Sequence, residues 1–366
     1  MTKNNVAIMS NDGELDVRNA RVAVYGAGAM GTVLGVLLKK GGLNNVDLIT
    51  RNQEHVKGMK ERGATLVCEG NGIEITEKVD ALLPSEMTGK YDVIFLMTKQ
   101  RMNGETLEFL LPYLKEDTVV CTTQNGLPEP SVAEIVGNER TYGAVASFGA
   151  TFIGGGKVAL TSKISAMRME VGGYCNDGRK TEFLVKILSH VGKATGNEEF
   201  VKPSENLMGA RWSKLALNSA FSGLSVVTGL TFGEISKRSK SRKIALGILR
   251  ECMDVANATG VKLAPMKGYD MEKLLGGKSF FKRLFSYTVL PFAMKSHKKL
   301  VSGMLKDVEK GRKCEIDFID GVVCREGDKV GVETPLCDTV VEIVHGIENG
   351  TYETDYRNVD FFGCKD

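Results

Sequence analysis

Three sets of residues have types and spacings suited to chemistry. The first is Gly26-Ala27-Gly28-Ala29-Met30-Gly31, whose glycines fall at the spacing G-x-G-x-x-G directly after the apolar run Val22–Tyr25. A strand, a tight turn and a helix start in that order suit a pyrophosphate. Gly26 permits the turn, Gly28 lets backbone approach the phosphates, Gly31 lets the helix pack on the strand, and free N–H groups at the positive helix end face the anion. The second set is Lys214, Asn218 and Ser222 in ARWSKLALNSAFSGL, at i, i+4 and i+8 on one helix face, with Leu215, Leu217 and Phe221 directed elsewhere. A lysine and an asparagine on one stripe of an otherwise apolar helix suit the polar wall of a cleft; the wet side of an amphipathic helix has the same pattern. The third is Gly303, Asp307, Gly311 and Glu315, an i+4 row that would turn Glu315 toward Lys214. A plain surface carboxylate is the alternative for Glu315.

These groups need an α/β scaffold to hold them, and the chain alternates short apolar runs with longer mixed segments. Strands are expected over 21–25, 46–50, 92–97, 118–122 and 141–147, with a hairpin-like insertion at 64–77 turning around Gly70 and Gly72 and further strands in 151–173. From Ser204 onward apolar residues recur at helical spacing. The fold class read from this is α/β: a Rossmann-type dinucleotide-binding domain followed by a mostly α-helical C-terminal domain. The 366 residues exceed what one core usually supports. The expected division is an N-terminal extension at 1–19, the dinucleotide domain at 20–202, a helical substrate and dimer domain at 203–347, and a polar tail at 348–366.

Strand ends then set the cofactor. An Asp or Glu closing the second strand would bond a ribose 2′-hydroxyl. Here VDLIT runs into Thr50, Arg51 and Asn52. Arg51 presents a rigid fork of donors suited to a 2′-phosphate, so the chain is expected to take NADPH/NADP+. The runs ending at Lys99-Gln100 and at Gln124-Asn125-Gly126 place Lys99 and Asn125 near the nicotinamide half. Asn-Gly is also a common turn pair, so a purely structural role for Asn125 stays open.

Composition excludes other classes. A net charge of +3 gives no basic footprint for nucleic acid, and no apolar run reaches the ~20 residues of a membrane helix. The N-terminus lacks the pattern of a secretory signal. The eight cysteines form no C-x-x-C pair, and no cluster of the four histidines with them has metal-ligand spacing. The expectation is a cytoplasmic protein with reduced thiols, no metal, no nucleic-acid partner and no membrane partner. The stretch 276–300, basic and rich in large apolar residues, matches a membrane-surface or partner-facing helix; the reading preferred from sequence is a helix pair packed on the second domain with a solvated basic face, contributing to a homodimer contact.

Taken together, the pieces resemble the ketopantoate reductases (2-dehydropantoate 2-reductases). Those that match are GAGAMG at 26–31, Arg51, Lys99, QNG at 124–126, W-x-K-x-x-x-N at 212–218, and the late block M-L-x-D with E-I-D-x-x-x-G at 304–321. They occur in the family's order and span roughly residues 21 to 325. The resemblance implies NADPH-dependent reduction of a 2-oxo acid, with Lys214 as general acid and Glu315 binding or orienting the substrate. It further implies that Asn218 and Asn125 hold substrate and cofactor, with Lys99 nearby. Two positions depart from the family pattern: Ser222 stands where a second asparagine is usual, and Gly303 stands where a serine is usual, with Ser302 one place earlier. Both bear on which oxo acid is taken. A different small oxo acid, turned over by a reductase of this or the β-hydroxyacid dehydrogenase type, is one alternative; an NADP(H)-binding regulatory protein without turnover is another.

Overall fold

The computed structural model describes residue 17 and residues 19–363, apart from 70, 71, 267 and 278. The expected N-terminal extension and the Gly70 side of the 64–77 turn therefore lie largely outside the described residues. Two compact units are present, one comprising the chain up to Gln124 with Pro128–Leu207, the other Asn125–Leu127 with the chain from Met208.

The first unit runs β1 (Val22–Tyr25), α1 (Ala29–Lys40), β2 (Val46–Ile49), α2 (Gln53–Arg62), β3 (Ala64–Cys68), β4 (Ile73–Glu77), β5 (Asp80–Leu82), β6 (Tyr91–Leu96), α3 (Asn103–Leu110), β7 (Leu114–Thr122), α4 (Glu129–Val136), β8 (Thr141–Ala146), β9 (Ala150–Gly154), β10 (Lys157–Leu160), β11 (Met169–Gly173), α5 (Thr181–Thr195) and β12 (Val201–Pro203). Eight strands form one sheet in the order β5-β2-β1-β6-β7-β8-β11-β12, parallel except where β11 runs against β8. Helices cover both faces, so the central strands are apolar throughout instead of alternating. Val22 and Val24 join a cluster with Val33, Leu34 and Leu37 of α1, while Ala23 and Tyr25 join one with Leu107 of α3 and Val132 of α4. From β1 the chain goes first to β2 on one side and later to β6 on the other. That reversal is the switch point beside which open α/β sheets bind their ligands.

The expected hairpin at 64–77 is β3 and β4, but it is half of a second sheet, β4-β3-β10-β9, in which β10 runs parallel to β3. His55 of α2 ties that sheet to the glycine turn. Its Nδ1 accepts from the Gly156 N–H at 3.1 Å, so Nε2 carries the proton and donates to the Thr32 hydroxyl at 3.0 Å, which donates to the Ala27 carbonyl at 3.3 Å. Burial holds this imidazole below its usual pKa, hence neutral, as the chain of bonds requires.

Beyond β12 the elements are helical: α6 (Leu207–Asn218), a π-helical turn (Ser219–Gly223), α7 (Leu224–Thr228), α8 (Phe232–Lys237), α9 (Ser239–Ala258), α10 (Met271–Leu275), α11 (Phe280–Ala293), α12 (Gly303–Val308), α13 (Asp320–Val330) and α14 (Pro335–Glu348). The organiser is α9. Its buried positions Ser241, Ile244, Ala245, Ile248, Leu249, Cys252, Val255 and Ala256 keep helical period over its length. Glu251 on the same helix accepts the Leu336 and Cys337 N–H groups, each at 2.9 Å, and so caps α14 from a distance. The tail packs back: Asn358 Nδ2 donates to the Val227 carbonyl at 2.9 Å. The α/β sheet unit and the helical unit agree with the fold class expected from sequence.

Gly26 makes a direct test of this scaffold. Its φ is +103°, and a Cβ there would stand 2.6 Å from the Met97 carbonyl carbon and the Thr98 nitrogen. Gly26→Ala is expected to lose about 1–3 kcal/mol of stability in urea unfolding, through the strained φ and the displaced β6 end. Unchanged stability would mean that the turn does not need this backbone conformation.

Candidate active site

The cradle for an anion is built from backbone. The Gly26 and Ala27 N–H groups both donate to the Ile49 carbonyl, at 2.9 and 2.8 Å, which folds the turn against the end of β2. Gly31 carries the helix back over the strand, since a Cβ there would lie 2.5 Å from the Gly26 carbonyl oxygen. Gly28 differs: a Cβ built on it meets nothing within 4 Å. Gly28, Ala29 and Met30 are partly exposed, Ala27 is buried, and no side chain caps the α1 N-terminus. Open space over a helix start whose first N–H groups lack a side-chain acceptor fits a pyrophosphate.

At the end of β2, Arg51 is exposed and pairs with Glu105 in the first turn of α3 at 2.7 Å. The Glu105 hydrogen bond holds its guanidinium above the ordinary value. Asn52 is occupied as the α2 cap, accepting the His55 N–H at 2.9 Å. Lys99 is exposed just beyond β6. Asn125 is exposed beyond β7 and precedes Gly126, whose φ is +79°. Its neighbour Gln124 is the residue sequence reasoning passed over. It is buried, donates to the Thr98 carbonyl at 2.8 Å and to Asn103 Oδ1 at 2.7 Å, and accepts from Asn103 Nδ2 at 3.2 Å. This reciprocal amide pair locks the ends of β6 and β7 to the start of α3. The signal for it was a glutamine in an apolar strand end, where an unpaired amide would be costly.

In the second unit, α6 carries Lys214 and Asn218 at i and i+4, each half-buried, beside the buried Trp212, Leu215 and Ala216. Loss of hydration, then the charge of the buried Arg211 one turn earlier, bring the Lys214 ammonium from its ordinary 10.5 down to about 7. Arg211 was not singled out from sequence, although its i−3 spacing to Lys214 was readable. Ser222 does not extend the face at α-helical register. It lies inside the π-helical turn Ser219–Gly223, which re-aims the residues after Asn218.

Two expectations about the late block change. The row Gly303, Asp307, Gly311, Glu315 is not one helical stripe, because α12 ends at Val308. Gly311 takes φ +65°, and the Gly311 and Arg312 N–H groups close onto the Val308 and Asp307 carbonyls. Glu315 instead leads into a short 3-10 turn, Ile316–Phe318, and is half-buried. Ser302 is 3% exposed, and its hydroxyl oxygen accepts the Met304 N–H at 3.1 Å, capping α12. No group of three or more His, Cys, Asp or Glu side chains able to hold a metal occurs among the described residues.

A further carboxyl backs the π-turn. Asp320 opens α13 fully buried, and a Cβ on Gly223 would stand 2.7 Å from its Oδ2. Neither carboxylate oxygen has a hydrogen-bond partner in another residue among those described. Burial foremost, then the charge of Glu251, raises its pKa well above the usual carboxylate range. The folded state therefore holds a proton that the unfolded chain releases, and stability falls as pH rises from about 4, the usual unfolded value for Asp. Asp320→Asn is expected to raise the melting temperature at pH 7, with the gap over the parent closing toward pH 4. A gap that stays constant with pH would show that Asp320 is not held protonated.

Comparisons with known proteins bear on what this site does. The family model for ketopantoate reductase PanE/ApbA matches residues 22–172, and that for ketopantoate reductase PanE/ApbA C terminal matches residues 206–348. A 2-dehydropantoate 2-reductase of Lactococcus lactis is 28% identical over 340 residues, covering 90% of this chain and 98% of that protein. One of Pyrococcus horikoshii is 27% identical over 320 residues, covering 86% and 93%. Among solved structures, a D-mandelate dehydrogenase with NADH and anilino(oxo)acetate is 26% identical with a TM-score of 0.75, covering 90% of this chain and 99% of that one. The 2-dehydropantoate 2-reductase of Geobacter metallireducens is 25% identical with a TM-score of 0.74, covering 89% and 99%. Two family models that together span most of the chain, over the glycine turn in one unit and over Lys214, Asn218 and Glu315 in the other, settle its kinship: it belongs to the ketopantoate reductase PanE/ApbA family of NAD(P)-dependent oxidoreductases.

Proposed function

We propose that the protein reduces 2-dehydropantoate to pantoate with NADPH. The observation that carries this reading is the Lys214 amine, half-buried, brought to about 7 and one helical turn before Asn218. Reduction of a ketone places negative charge on its oxygen and ends with a proton there. An ammonium whose pKa lies near neutrality can both stabilise that charge and give up the proton. Asn218 and Asn125 offer amide groups to hold substrate and cofactor, Ser222 a hydroxyl, and Glu315 a carboxylate for a substrate hydroxyl. Ser302 acts through α12, which it caps.

On the other unit, the N–H groups of residues 29–31 take the pyrophosphate, Arg51 the 2′-phosphate, and Lys99 lies toward the nicotinamide half. When bound, the dinucleotide supplies a hydride; the chain supplies position and field. A larger or differently shaped 2-oxo acid is the second reading. Ser222 in place of an asparagine favours it by presenting a shorter side chain, and so does the likeness to a protein solved with anilino(oxo)acetate. NADPH consumption across a panel of branched and aromatic 2-oxo acids, 2-dehydropantoate included, decides between the two. Tight NADPH binding with no turnover on any of them would overturn both.

Two variants test the residue roles. Lys214→Ala is expected to lower kcat by about 100-fold or more, in the range of general acid catalysis, with NADPH affinity little changed. In the parent, kcat/KM should fall as pH rises through about 7, since the amine then loses the proton it must donate. A flat profile, or equal loss of kcat and cofactor affinity in the variant, removes Lys214 from that role. Arg51→Ala is expected to weaken NADPH about 10- to 100-fold, the worth of charge-assisted hydrogen bonds of about 1.5–3 kcal/mol, and to leave NADH unchanged. Equal effects on the two dinucleotides would refute a 2′-phosphate site at Arg51.

A further inference from the structure

The helix α11 is built inside out for a helix of a helical unit. Its buried positions are Ser286 and Leu290, with Tyr287 partly covered. Ser286 accepts from Arg250 at 2.8 Å, the Tyr287 carbonyl accepts from Arg242 at 3.3 Å, and the Arg242 guanidinium stands over the Tyr287 ring at 4.3 Å. These contacts fix which side faces α9. The opposite side carries Phe281, Leu284, Phe285 and Phe292, which with Thr288 recur at three- and four-residue spacing along one face. Phe281 is 80% exposed, Phe292 78%, Leu284 54% and Phe285 51%, with Phe280 at 74% beside them. Sequence reasoning gave this stretch a packed apolar side and a wet basic one; in the structure it is the apolar side that is open.

Charge identifies what covers it. Residues 276–300 contain six lysines and arginines and no aspartate or glutamate. Lys282, Arg283, Lys295, Lys298 and Lys299 are exposed. A second copy of the chain would bring the same cations against themselves across a two-fold axis. An anionic lipid surface instead complements the exposed lysines, Arg283 lying on the α9 side with Ser286, while the phenyl and leucyl groups enter the boundary between headgroups and acyl chains and the long lysine side chains reach back to the phosphates. At 14 residues, about 21 Å, the helix is too short to span a bilayer and suited to lie along one. No helix among the described residues is long and apolar enough to cross a membrane.

We propose that α11 is a docking surface for anionic lipid bilayers, with Phe281, Leu284, Phe285 and Phe292 inserted and Lys282, Lys295, Lys298 and Lys299 on the headgroups. The test is flotation of the full-length protein with vesicles of phosphatidylcholine alone or mixed with phosphatidylserine, beside light scattering of the free protein. The proposal expects binding to the mixed vesicles only, weakened by salt. Phe281→Glu with Phe285→Glu should cut that binding by about tenfold or more, since each ring withdrawn forfeits its apolar burial, with melting temperature and turnover unchanged. A second double variant, Lys298→Gln with Lys299→Gln, should weaken binding while leaving the apolar face intact. No binding to either vesicle, or equal binding to both, overturns the proposal. So does a dimer in solution that the Phe281/Phe285 variant converts to monomer, which would make a second copy the occupant.

Discussion

Taking a cation out of water is the act on which the helical unit turns. α6 does it twice within one turn, with Arg211 1% exposed and Lys214 half-buried. Each charge is costly to desolvate, and the two repel. The lysine lowers that cost by giving up its proton near neutrality. Loss of hydration first, and the Arg211 charge second, bring the Lys214 ammonium to about 7. An exposed lysine on the same sequence would stay fully charged and donate poorly. The apolar core around α9 and α6 is thus both a source of stability and the means by which an ordinary lysine is brought near neutrality.

The π-turn after Asn218 belongs to the same economy of strain. A five-residue turn in an α-helix weakens the backbone ladder locally, and such turns recur at functional sites. Here the turn is packed with small or buried groups, Ser219, Ala220, Phe221 and Gly223, and it faces the buried Asp320 carboxyl. A side chain at Gly223 would displace that carboxyl, and an ionised Asp320 would sit close to the like charge of Glu251. The uncharged form is the one compatible with both. The turn is held by close packing around a proton retained in the core instead of by exposed bonds, so the positions of Asn218 and Ser222 are coupled to the integrity of α13.

Much of the first unit was legible because its signals are local. β1, β2, β6 and β8 lie on short apolar runs almost to the residue, and the glycine turn carries a fixed spacing between strand and helix. The pairing of β10 with β3 was not legible, since it joins segments about ninety residues apart and depends on where the β9–β10 hairpin is pinned by His55 and Gly156. In the helical unit, the shared face of Lys214 and Asn218 was legible because i and i+4 survive in α6. Ser222 and the row ending at Glu315 were misread because helical spacing was carried through a π-turn and through the left-handed Gly311, interruptions with no distinctive composition. The helix-start role of the Ser302 hydroxyl, a task serines perform at many N-termini, was not read from sequence because the start of α12 was not placed there.

The arginine at the end of β2 shows how a single pair can tune the proposed cofactor choice. Arg51 is already engaged by Glu105, in an exposed pair of the kind worth about 0–1 kcal/mol. Charge-assisted bonds to a phosphate are worth about 1.5–3 kcal/mol, so a 2′-phosphate competes successfully for the guanidinium. A 2′-hydroxyl offers too little to break the pair, and an exposed Glu105 near the ribose would itself accept from such a hydroxyl. Glu105 therefore holds the Arg51 guanidinium in place, at 2.7 Å, before any phosphate arrives. The proposed preference would arise from the difference between two modest interactions at Arg51, and the sequence around β2 alone, which has the arginine but not its partner, gives only half of that difference.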